Sequence, residues 1–275
     1  MNGIFKGPPM EIIFLGTGTS HGVPMLDCMI DGYARCKKNV CRLSEADARH
    51  RRTRASIIAA WNGINVLIDA SLDFRAQALR ERIGRIDAML ITHSHADHIG
   101  GIPDLRSYDR VRGGRPLPLY GSPESIAMVR STYHYLFNPA TFIGGGISSI
   151  NAIGITEPFE LFGKTITPIP VSHGELAGCL GYQIGPVVYI PDMKAINDAS
   201  IEICRNTDTL ILNCLREEPE HVSHLTLAES IAIARRLAPR QCFFTHLSHD
   251  IHYELDGAKL EPWMDFAFDG LRISL

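Results

Sequence analysis

Short apolar runs rich in isoleucine, valine and leucine recur along the chain, with turn residues between them. Runs of this length and composition predict buried β-strands. Asn62-Gly63 separates two of the runs and is a strong hairpin signal, because both residues tolerate the positive φ angles of a tight turn. The predicted strands occupy 11–15, 56–60, 64–69, 87–92, 116–120, 164–171, 186–191, 209–213 and 241–245.

Helical stretches are fewer. Residues 73–83 and 123–136 each follow residues that start helices, and 226–237 carries an apolar stripe behind a capping-box pattern. Strands that come mainly as hairpins and meanders, with helices interspersed, predict an α/β (α+β) fold of stacked sheets covered by helices. No polar linker divides the chain, so we expect a single domain over residues 1–275.

The bulk composition is that of an ordinary globular protein, with 45% hydrophobic and 21% charged residues. A net charge of −3 argues against a chain built to coat nucleic acid. No apolar run reaches the roughly 18 residues that span a bilayer, and we find no secretory signal. The cysteines number seven, so we expect reduced thiols in a cytoplasmic protein. Four of them lie singly in apolar contexts and are expected core residues: Cys179, Cys204, Cys214 and Cys242.

The string HSHADH follows the apolar run at 87–92 directly and supplies His93, His95, Asp97 and His98. Buried polar groups need partners, and four adjacent titratable side chains would need four. Neutral imidazoles and a carboxylate together suit zinc, manganese or iron. His93 and His95 alternate like strand residues and are expected to point the same way, while Asp97 and His98 follow the turn and can face a second ion.

Three further candidates share one context. His173, Asp192 and His246 each lie just past a predicted buried strand, where loops gather at one edge of a sheet and functional groups collect. Any one of them alone is typical of a structural histidine or a capping aspartate. Together, and beside the HSHADH string, they indicate metal ligands.

This pattern of HxHxDH, a lone histidine, a lone aspartate and a final histidine resembles the metallo-β-lactamase superfamily. The resemblance runs from Gly16 to Gly270 and implies a four-layer αβ/βα sandwich of two mainly antiparallel or mixed sheets flanked by helices. It also implies two divalent ions, zinc or manganese. The implied ligands are His93, His95 and His173 for one ion and Asp97, His98 and His246 for the other, with Asp192 bridging them.

Within that superfamily the chain looks closest to the phosphodiesterase of the carbon–phosphorus lyase pathway. The shared strings are LGTGT at 15–19, GVP at 22–24 and THLSH at 245–249. The resemblance implies a third, structural zinc held by Cys28, Cys36, Cys41 and His249. Here the family's tight C-x-C-x₂-C is stretched to C-x₇-C-x₄-C, so the alternative is three loop thiols without a metal.

Two ions roughly 3.5–4 Å apart can activate a water as nucleophile. We expect Asp97 to act beside the metals, and His224 resembles the subfamily's extra active-site histidine, a general acid for the leaving oxygen. The alternative for His224 is a structural role beside the helix that follows. The match to G-x-S-x-G around Ser20 does not predict a serine hydrolase, because no helix starts after the serine.

Two other segments leave alternatives open. The basic run Arg49–Arg54 is typical of a solvated face, although it could attract an anionic substrate. Residues 137–154 are interpreted as a long loop, either a plain surface loop or a lid.

The sequence therefore favours a binuclear phosphodiesterase that hydrolyses a small cyclic phosphate or a nucleotide-type phosphodiester. The alternatives are a thioester or lactone hydrolase on the same metals, an RNA-processing nuclease, and a non-enzymatic member that keeps only structural zinc. The expected partner is a small phosphodiester substrate, with neither a membrane nor a nucleic acid, and a homodimer is left open.

Overall fold

The computed structural model describes residues 9–142, 144, 146–205 and 207–275. Its strands form two sheets. The first sheet contains β1 (Met10–Gly16), β2 (Ser56–Trp61), β3 (Ile64–Ile68), β4 (Ala88–Leu90), β5 (Leu117–Gly121), β6 (Ile150–Gly154) and β15 (Arg272–Ser274). Their order is β15-β1-β2-β3-β4-β5-β6, antiparallel from β15 to β3 and parallel from β3 to β6.

The second sheet is built in the same way from the later part of the chain. It contains β7 (Phe159–Leu161), β8 (Lys164–Ser172), β9 (Leu180–Ile184), β10 (Val187–Ile190), β11 (Ala195–Ile196), β12 (Thr209–Asn213), β13 (Gln241–Thr245) and β14 (Met264–Phe266). The order is β11-β8-β9-β10-β12-β13-β14, with β7 paired to β8. Strands β10, β12, β13 and β14 are parallel, and the pairs formed by β7, β8, β9 and β11 are antiparallel.

Helices cover the outer faces of both sheets. The α-helices are α1 (Leu26–Ile30), α2 (Val40–Leu43), α3 (Phe74–Arg80), α4 (Ala96–Ile99), α5 (Pro123–Thr132), α6 (His134–Phe137), α7 (Asp198–Cys204), α8 (Leu227–Leu237) and α9 (Tyr253–Gly257). A 3₁₀ helix spans Ile102–Tyr108. Within the described residues, no helix is both long and apolar enough to cross a bilayer.

Alternate residues of the strands build three buried layers. Phe14 of β1 packs between the sheets with Tyr182 of β9, whereas its neighbour Leu15 faces the helices on the outer side with Phe74 of α3. The outer face of the second sheet packs against α7 and α8, for example through Leu237. The predicted four-layer αβ/βα sandwich is therefore confirmed.

The structure also confirms three predictions that were made from short stretches of the sequence. Asn62 and Gly63 both have positive φ angles, 51° and 74°, and turn β2 into β3. At the start of α8, Thr226 and Glu229 form a complete capping box, with side-chain to backbone bonds in both directions. The four cysteines expected in the core are all buried.

Two predicted elements need correction. The helix predicted over 123–136 is interrupted at Tyr133, where α5 ends and α6 follows; Tyr133 leaves helical geometry, and its hydroxyl donates to the carbonyl of Ile99. The loop interpretation of 137–154 is wrong for its last five residues, which form β6 beside β5. Ile143 and Gly145 lie outside the described residues.

The basic run Arg49–Arg54 is only partly the solvated face that its composition favoured. Arg49 and Arg51 are exposed, whereas Arg52 is buried and donates to the backbone carbonyls of Ser248, at 2.6 Å, and Ile251, at 2.8 Å. Arg54 forms an ion pair with Asp73. These contacts anchor Arg52 and Arg54 to other segments of the protein.

The direction of the strands positions the functional residues. Strands β3 and β4 are parallel in the first sheet, and β8 runs the same way as β10, β12 and β13 in the second. Carboxyl ends of strands that share a direction meet at one edge, where α/β proteins bind ligands. At this edge the sheets are linked by Gly18, which bridges to Leu247, and by the bond from Leu180 N to Thr92 O, 2.9 Å long.

Candidate metal centre

The HSHADH string lies in the loop after β4 and in the first turn of α4. Strand β4 ends at Leu90, so His93 and His95 are not the alternating strand residues that the sequence predicted. They converge for a different reason. The backbone of His95 is extended (φ −65°, ψ 151°) just before α4 begins, and its ring lies beside that of His93. His93 Nε2 lies 3.0 Å from His95 Nδ1.

The structure brings all seven predicted ligands together at one sheet edge. His173 follows β8, Asp192 lies two residues past β10, and His246 follows β13. Their donor atoms form three overlapping groups within which all atoms lie less than 4.8 Å apart: His93, His95 and His173; His93, His98 and Asp192; Asp97, His98 and His246.

Three buried donor atoms at the centre make no hydrogen bond within the part of the chain that the structure describes. His98 Nε2 lies 2.8 Å from Asp192 Oδ2 and 3.3 Å from Asp97 Oδ2, and His246 Nε2 lies 3.2 Å from Asp192 Oδ1. Even so, among the described residues neither His98 Nε2 nor either oxygen of Asp192 makes a properly oriented hydrogen bond. Leaving such buried groups unsatisfied costs about 1–3 kcal/mol each. This donor set therefore fits divalent cations, which would satisfy these atoms.

The protonation states of the donor side chains also suit the binding of divalent cations. Burial lowers the pKa of His173 to about 4, and burial together with His98 holds the pKa of His93 well below its usual value. Burial alone would raise the pKa of Asp192, but His246 and His98 outweigh it and hold that pKa well below its usual value. Neutral imidazoles and an ionised carboxylate are the forms that metals bind.

Three carboxylates surround His98. Burial would lower the pKa of this imidazole, but Asp97, Asp69 and Asp192 outweigh burial and raise the pKa well above its usual value. The surroundings thus favour positive charge at this point, which a divalent cation also supplies.

Asp69 is a functional residue that the sequence reasoning missed. It directly follows β3, is fully buried, and has a left-handed φ of 61°. Its carboxylate lies 2.8 Å from His98 Nδ1 and accepts hydrogen bonds from the backbone and hydroxyl of Thr92. On the other side, Ser223 O lies 2.8 Å from His173 Nδ1. Such partners orient metal-binding histidines. The missed signal was an aspartate ending an apolar run, as Asp192 does.

His224 lies against the centre without belonging to the three groups. Its Nδ1 is 3.0 Å from Asp192 Oδ1, although no aligned hydrogen bond forms. Its ring stacks on His246 at 4.8 Å, and 13% of the side chain is exposed. Burial lowers its pKa. His224 therefore separates the buried carboxylate from the solvent side.

The early cysteines form a second donor cluster despite their stretched spacing. Cys28 lies in α1, Cys36 in the following loop and Cys41 in α2, and all three approach His249. His249 Nδ1 lies 3.0 Å from Cys28 Sγ and 3.5 Å from Cys41 Sγ. Ligands of a tetrahedral zinc with the usual bond lengths are roughly 3–4 Å apart, so the cluster fits the ion.

Ser20 is not the nucleophile of a serine hydrolase. It lies in an exposed turn, and the next helix begins only at Leu26. The glycines around it serve close packing, as expected: a Cβ at Gly16 would overlap the carbonyl oxygen of Arg54, and one at Gly18 would lie 2.9 Å from that of Arg52.

Comparison with known proteins agrees with this geometry. Residues 64–247 match the family described as the β-lactamase superfamily domain. The chain belongs to the metallo-β-lactamase superfamily. A crystal structure described as a new diphosphatase from the PhnP family superposes on this superfamily member with a TM-score of 0.86 and 37% identity, covering 97% of both chains. The predicted likeness to the carbon–phosphorus lyase phosphodiesterase subfamily is thereby supported.

Two further similar proteins carry other names. An octanoyltransferase of Porphyromonas gingivalis is 34% identical over 95% of this chain, but the match covers only 51% of that protein. The chain thus spans about half the length of that relative. Zinc-bound PqqB from Methylobacterium extorquens has a TM-score of 0.75 at 21% identity, over 96% of this chain and all of the other, which shows a shared fold.

This superfamily member is a metal-dependent hydrolase. The fold, the family and the set of seven donors agree on that class.

Proposed function

We propose that this hydrolase is a binuclear phosphodiesterase that cleaves small phosphodiester or diphosphate substrates. The observation that carries the proposal is the position of His224, a proton-carrying side chain 3.0 Å from Asp192 at the edge of the seven-donor cluster. The similarity to a PhnP-family diphosphatase supports the same reaction class.

The donor groups would divide between two ions. Asp192 would suit the bridging position, because its carboxylate lies within 4.8 Å of a donor atom of His93, assigned below to the first ion, and of His98, assigned to the second. Divalent ions held in this way lower the pKa of water and neutralise charge that develops on phosphoryl oxygens. The proposed ligands are His93, His95 and His173 for the first ion and Asp97, His98 and His246 for the second, with Asp192 shared.

Asp97 is proposed to orient the attacking water. One of its oxygens lies 3.3 Å from His98 Nε2 and 3.6 Å from His246 Nε2. Burial would raise its pKa, but His98 and His246 outweigh burial and keep the carboxylate ionised. An ionised carboxylate can only accept hydrogen bonds, so it can fix the direction of a water O–H bond.

His224 is proposed to protonate the leaving oxygen. Its side chain is 13% exposed, and it lines a cavity of about 260 Å³. A leaving alkoxide needs a proton in the transition state, whereas a thiolate leaves without one. The presence of a histidine here therefore favours phosphodiesters over thioesters.

The cysteine cluster is proposed to hold structural zinc. Its ligands lie in α1, α2 and the segment after β13, so one ion would join the early loop to the strand end that carries His246. Three thiolates and one imidazole leave no open coordination position, as in other closed zinc sites.

The test is a substrate panel combined with metal analysis of the purified protein. We expect about three ions per chain and turnover of bis-p-nitrophenyl phosphate, cyclic nucleotides or nucleoside diphosphate esters. Turnover of thioesters or lactones, with all phosphate esters inert, would contradict the proposal in favour of the alternative ester hydrolase. Cleavage of structured RNA with every small diester inert would favour the nuclease.

A further inference from the structure

A cavity of about 370 Å³ lies at the amino ends of three parallel strands, β3, β4 and β5. We call it the distal cavity; residues of 85–87 and 112–118 line it together with Ile64 and Phe162. The proposed metal ligands lie at the opposite, carboxyl edge, roughly 16 Å away along a strand of five residues. The volume falls within the range of small-ligand pockets. The distal cavity is therefore a place for a ligand apart from the metal centre.

The wall of the distal cavity carries an excess of positive charge. Arg85, Arg112 and Arg115 line it against one acidic residue, Asp87. Both oxygens of Asp87 are engaged: Oδ1 lies 2.6 Å from Arg85 Nε, and Oδ2 accepts the backbone N–H of Asn65 at 2.9 Å. Asp87 is thus committed to Arg85 and the backbone. The charges of Arg112 and Arg115 remain on this wall, in a chain whose net charge is −3.

Arg112 and Arg115 are the ends of one tight turn. Gly113 and Gly114 between them both have left-handed φ angles, 66° and 76°, which favour glycine. The turn lets each arginine bond to the backbone of the other: Arg112 Nε donates to Arg115 O at 3.2 Å, and Arg115 Nε to Arg112 O at 3.1 Å. Arg115 is exposed and forms no ion pair among the residues that the structure describes. Its guanidinium is therefore held in place with its terminal nitrogens open to a ligand.

Arg112 is a buried cation, with only 6% of the residue exposed. Its Nη2 pairs with Asp109, but Nη1 makes no hydrogen bond within the described part of the chain. Burial lowers the pKa of Arg112, and Asp109 offsets that effect only in part. Burial of a charge is costly unless it is fully paired, so an anion in the cavity would stabilise this guanidinium.

The remaining wall of the distal cavity is apolar. Phe162, in the turn between β7 and β8, is 44% exposed, and Pro116 and Pro118 line the same cavity. Trp61 fixes the turn, since its Nε1 donates to Phe162 O at 3.1 Å. An exposed aromatic ring that is held in place suits stacking with a flat ring of a ligand.

We propose that the distal cavity binds a small organic phosphate that carries a flat ring, such as a nucleoside monophosphate. The phosphate would lie against Arg112 and Arg115, because guanidinium groups match phosphate oxygens in geometry and charge, and the ring would lie against Phe162. The site is independent of the proposed function, since none of the residues that carry it belongs to the metal centre.

The fluorescence of Trp61 is a local reporter for this site. The chain has two tryptophans, Trp61 and Trp263, so Trp263→Phe leaves Trp61 alone. Titration of this metal-loaded variant with adenosine 5′-phosphate should change the emission in a saturable way. Adenosine and ribose 5-phosphate each lack one half of the ligand and should bind roughly 10-fold more weakly or worse. No response, or equal affinities for all three compounds, would overturn the proposal.

Variants in the Trp263→Phe background test the arginines. Arg115→Gln changes an exposed side chain, so the fold should survive, and affinity for adenosine 5′-phosphate should fall by roughly 10-fold or more. Arg110→Gln is the matched control, because Arg110 is exposed in the same segment but does not line the cavity; its affinity should stay that of the parent. Equal losses in both variants would indicate diffuse attraction by positive charge and would overturn the site.

A third variant locates the ligand. His95→Ala alters the metal centre at the opposite edge and should leave the response of Trp61 to adenosine 5′-phosphate unchanged. A response that is lost in His95→Ala and kept in Arg115→Gln would place the ligand at the metal centre and overturn the distal site. The opposite pattern would support the distal site, whether or not the protein hydrolyses phosphodiesters.

Discussion

The carboxylate of Asp69 lies 2.8 Å from Nδ1 of His98, and both side chains are fully buried. Asp69 thereby accepts a hydrogen bond from the ring nitrogen that faces away from the proposed metal position, and Thr92 fixes the carboxylate through two hydrogen bonds of 2.8 Å. The aspartate at the end of β3 therefore sets the orientation of a ligand that belongs to a different element, α4.

Asp69→Asn should weaken metal binding without removing a ligand. An amide that donates toward His98 Nδ1 would favour the wrong tautomer or turn the ring, and loss of such a partner typically costs 10- to 100-fold in metal affinity. Metal titration followed by activity assays would measure the loss. Asp269→Asn changes another buried carboxylate, bound to Thr17 and Thr53, and should lower stability but leave the affinity of the centre within about threefold.

Removal of a proposed ligand should have a larger effect. We expect His95→Ala to release one active-site ion, and Asp192→Ala to lower turnover by roughly 10³-fold or more, because Asp192 lies close to ligands proposed for both ions, His93 and His98. His95 is exposed, so its variant should stay folded. Wild-type turnover in either well-folded variant would refute the two-metal assignment.

The cysteine cluster has its own test in stability. Cys36→Ser should release one tightly held zinc and lower Tm by about 5 °C or more, because metal binding to the native state is linked to folding. Cys204→Ser, which alters a buried thiol outside the cluster, should keep all of its zinc. An unchanged zinc content in Cys36→Ser would show that the thiols are loop residues without a metal.

His224→Ala should lower kcat by roughly 10²- to 10⁴-fold on a phosphodiester with an alkoxide leaving group. On a p-nitrophenyl ester the loss should be smaller, because the phenolate needs little help from an acid. Metal content should stay constant. If both substrates lost equally, His224 would bind phosphate instead of donating a proton, and lost metal would make it a ligand.

Much of the fold could be predicted because its signals are local. The apolar runs, the Asn62-Gly63 turn and the capping box at Thr226 depend on residues adjacent in the chain. Six strands escaped prediction because they lack such runs: β6 contains asparagine and glycine, β9 contains glycine and glutamine, and β7, β11, β14 and β15 are only two or three residues long. Those strands exist because a neighbouring strand supplies their hydrogen bonds.

The candidate site, like the fold, could be predicted only where its signals are local in the sequence. Ligand candidates were visible because histidine and aspartate stand at the ends of apolar runs, and a resemblance supplied their grouping. The buried position of Arg52 and the role of Asp69 were not visible, because each depends on partners far away in the chain: Ser248 for the first and His98 for the second. The predicted reason for the convergence of His93 and His95 was also wrong, since both lie in the loop between β4 and α4 and not in a strand.

The centre is assembled across the seam between the two sheets, with His93 and His98 from the first and Asp192 and His246 from the second. During synthesis, the early ligands therefore emerge long before their partners, and they remain an incomplete set until residue 246 has left the ribosome. A metal that binds only the completed arrangement would therefore stabilise only chains that extend past residue 246. Shorter products would gain no stability from such an ion.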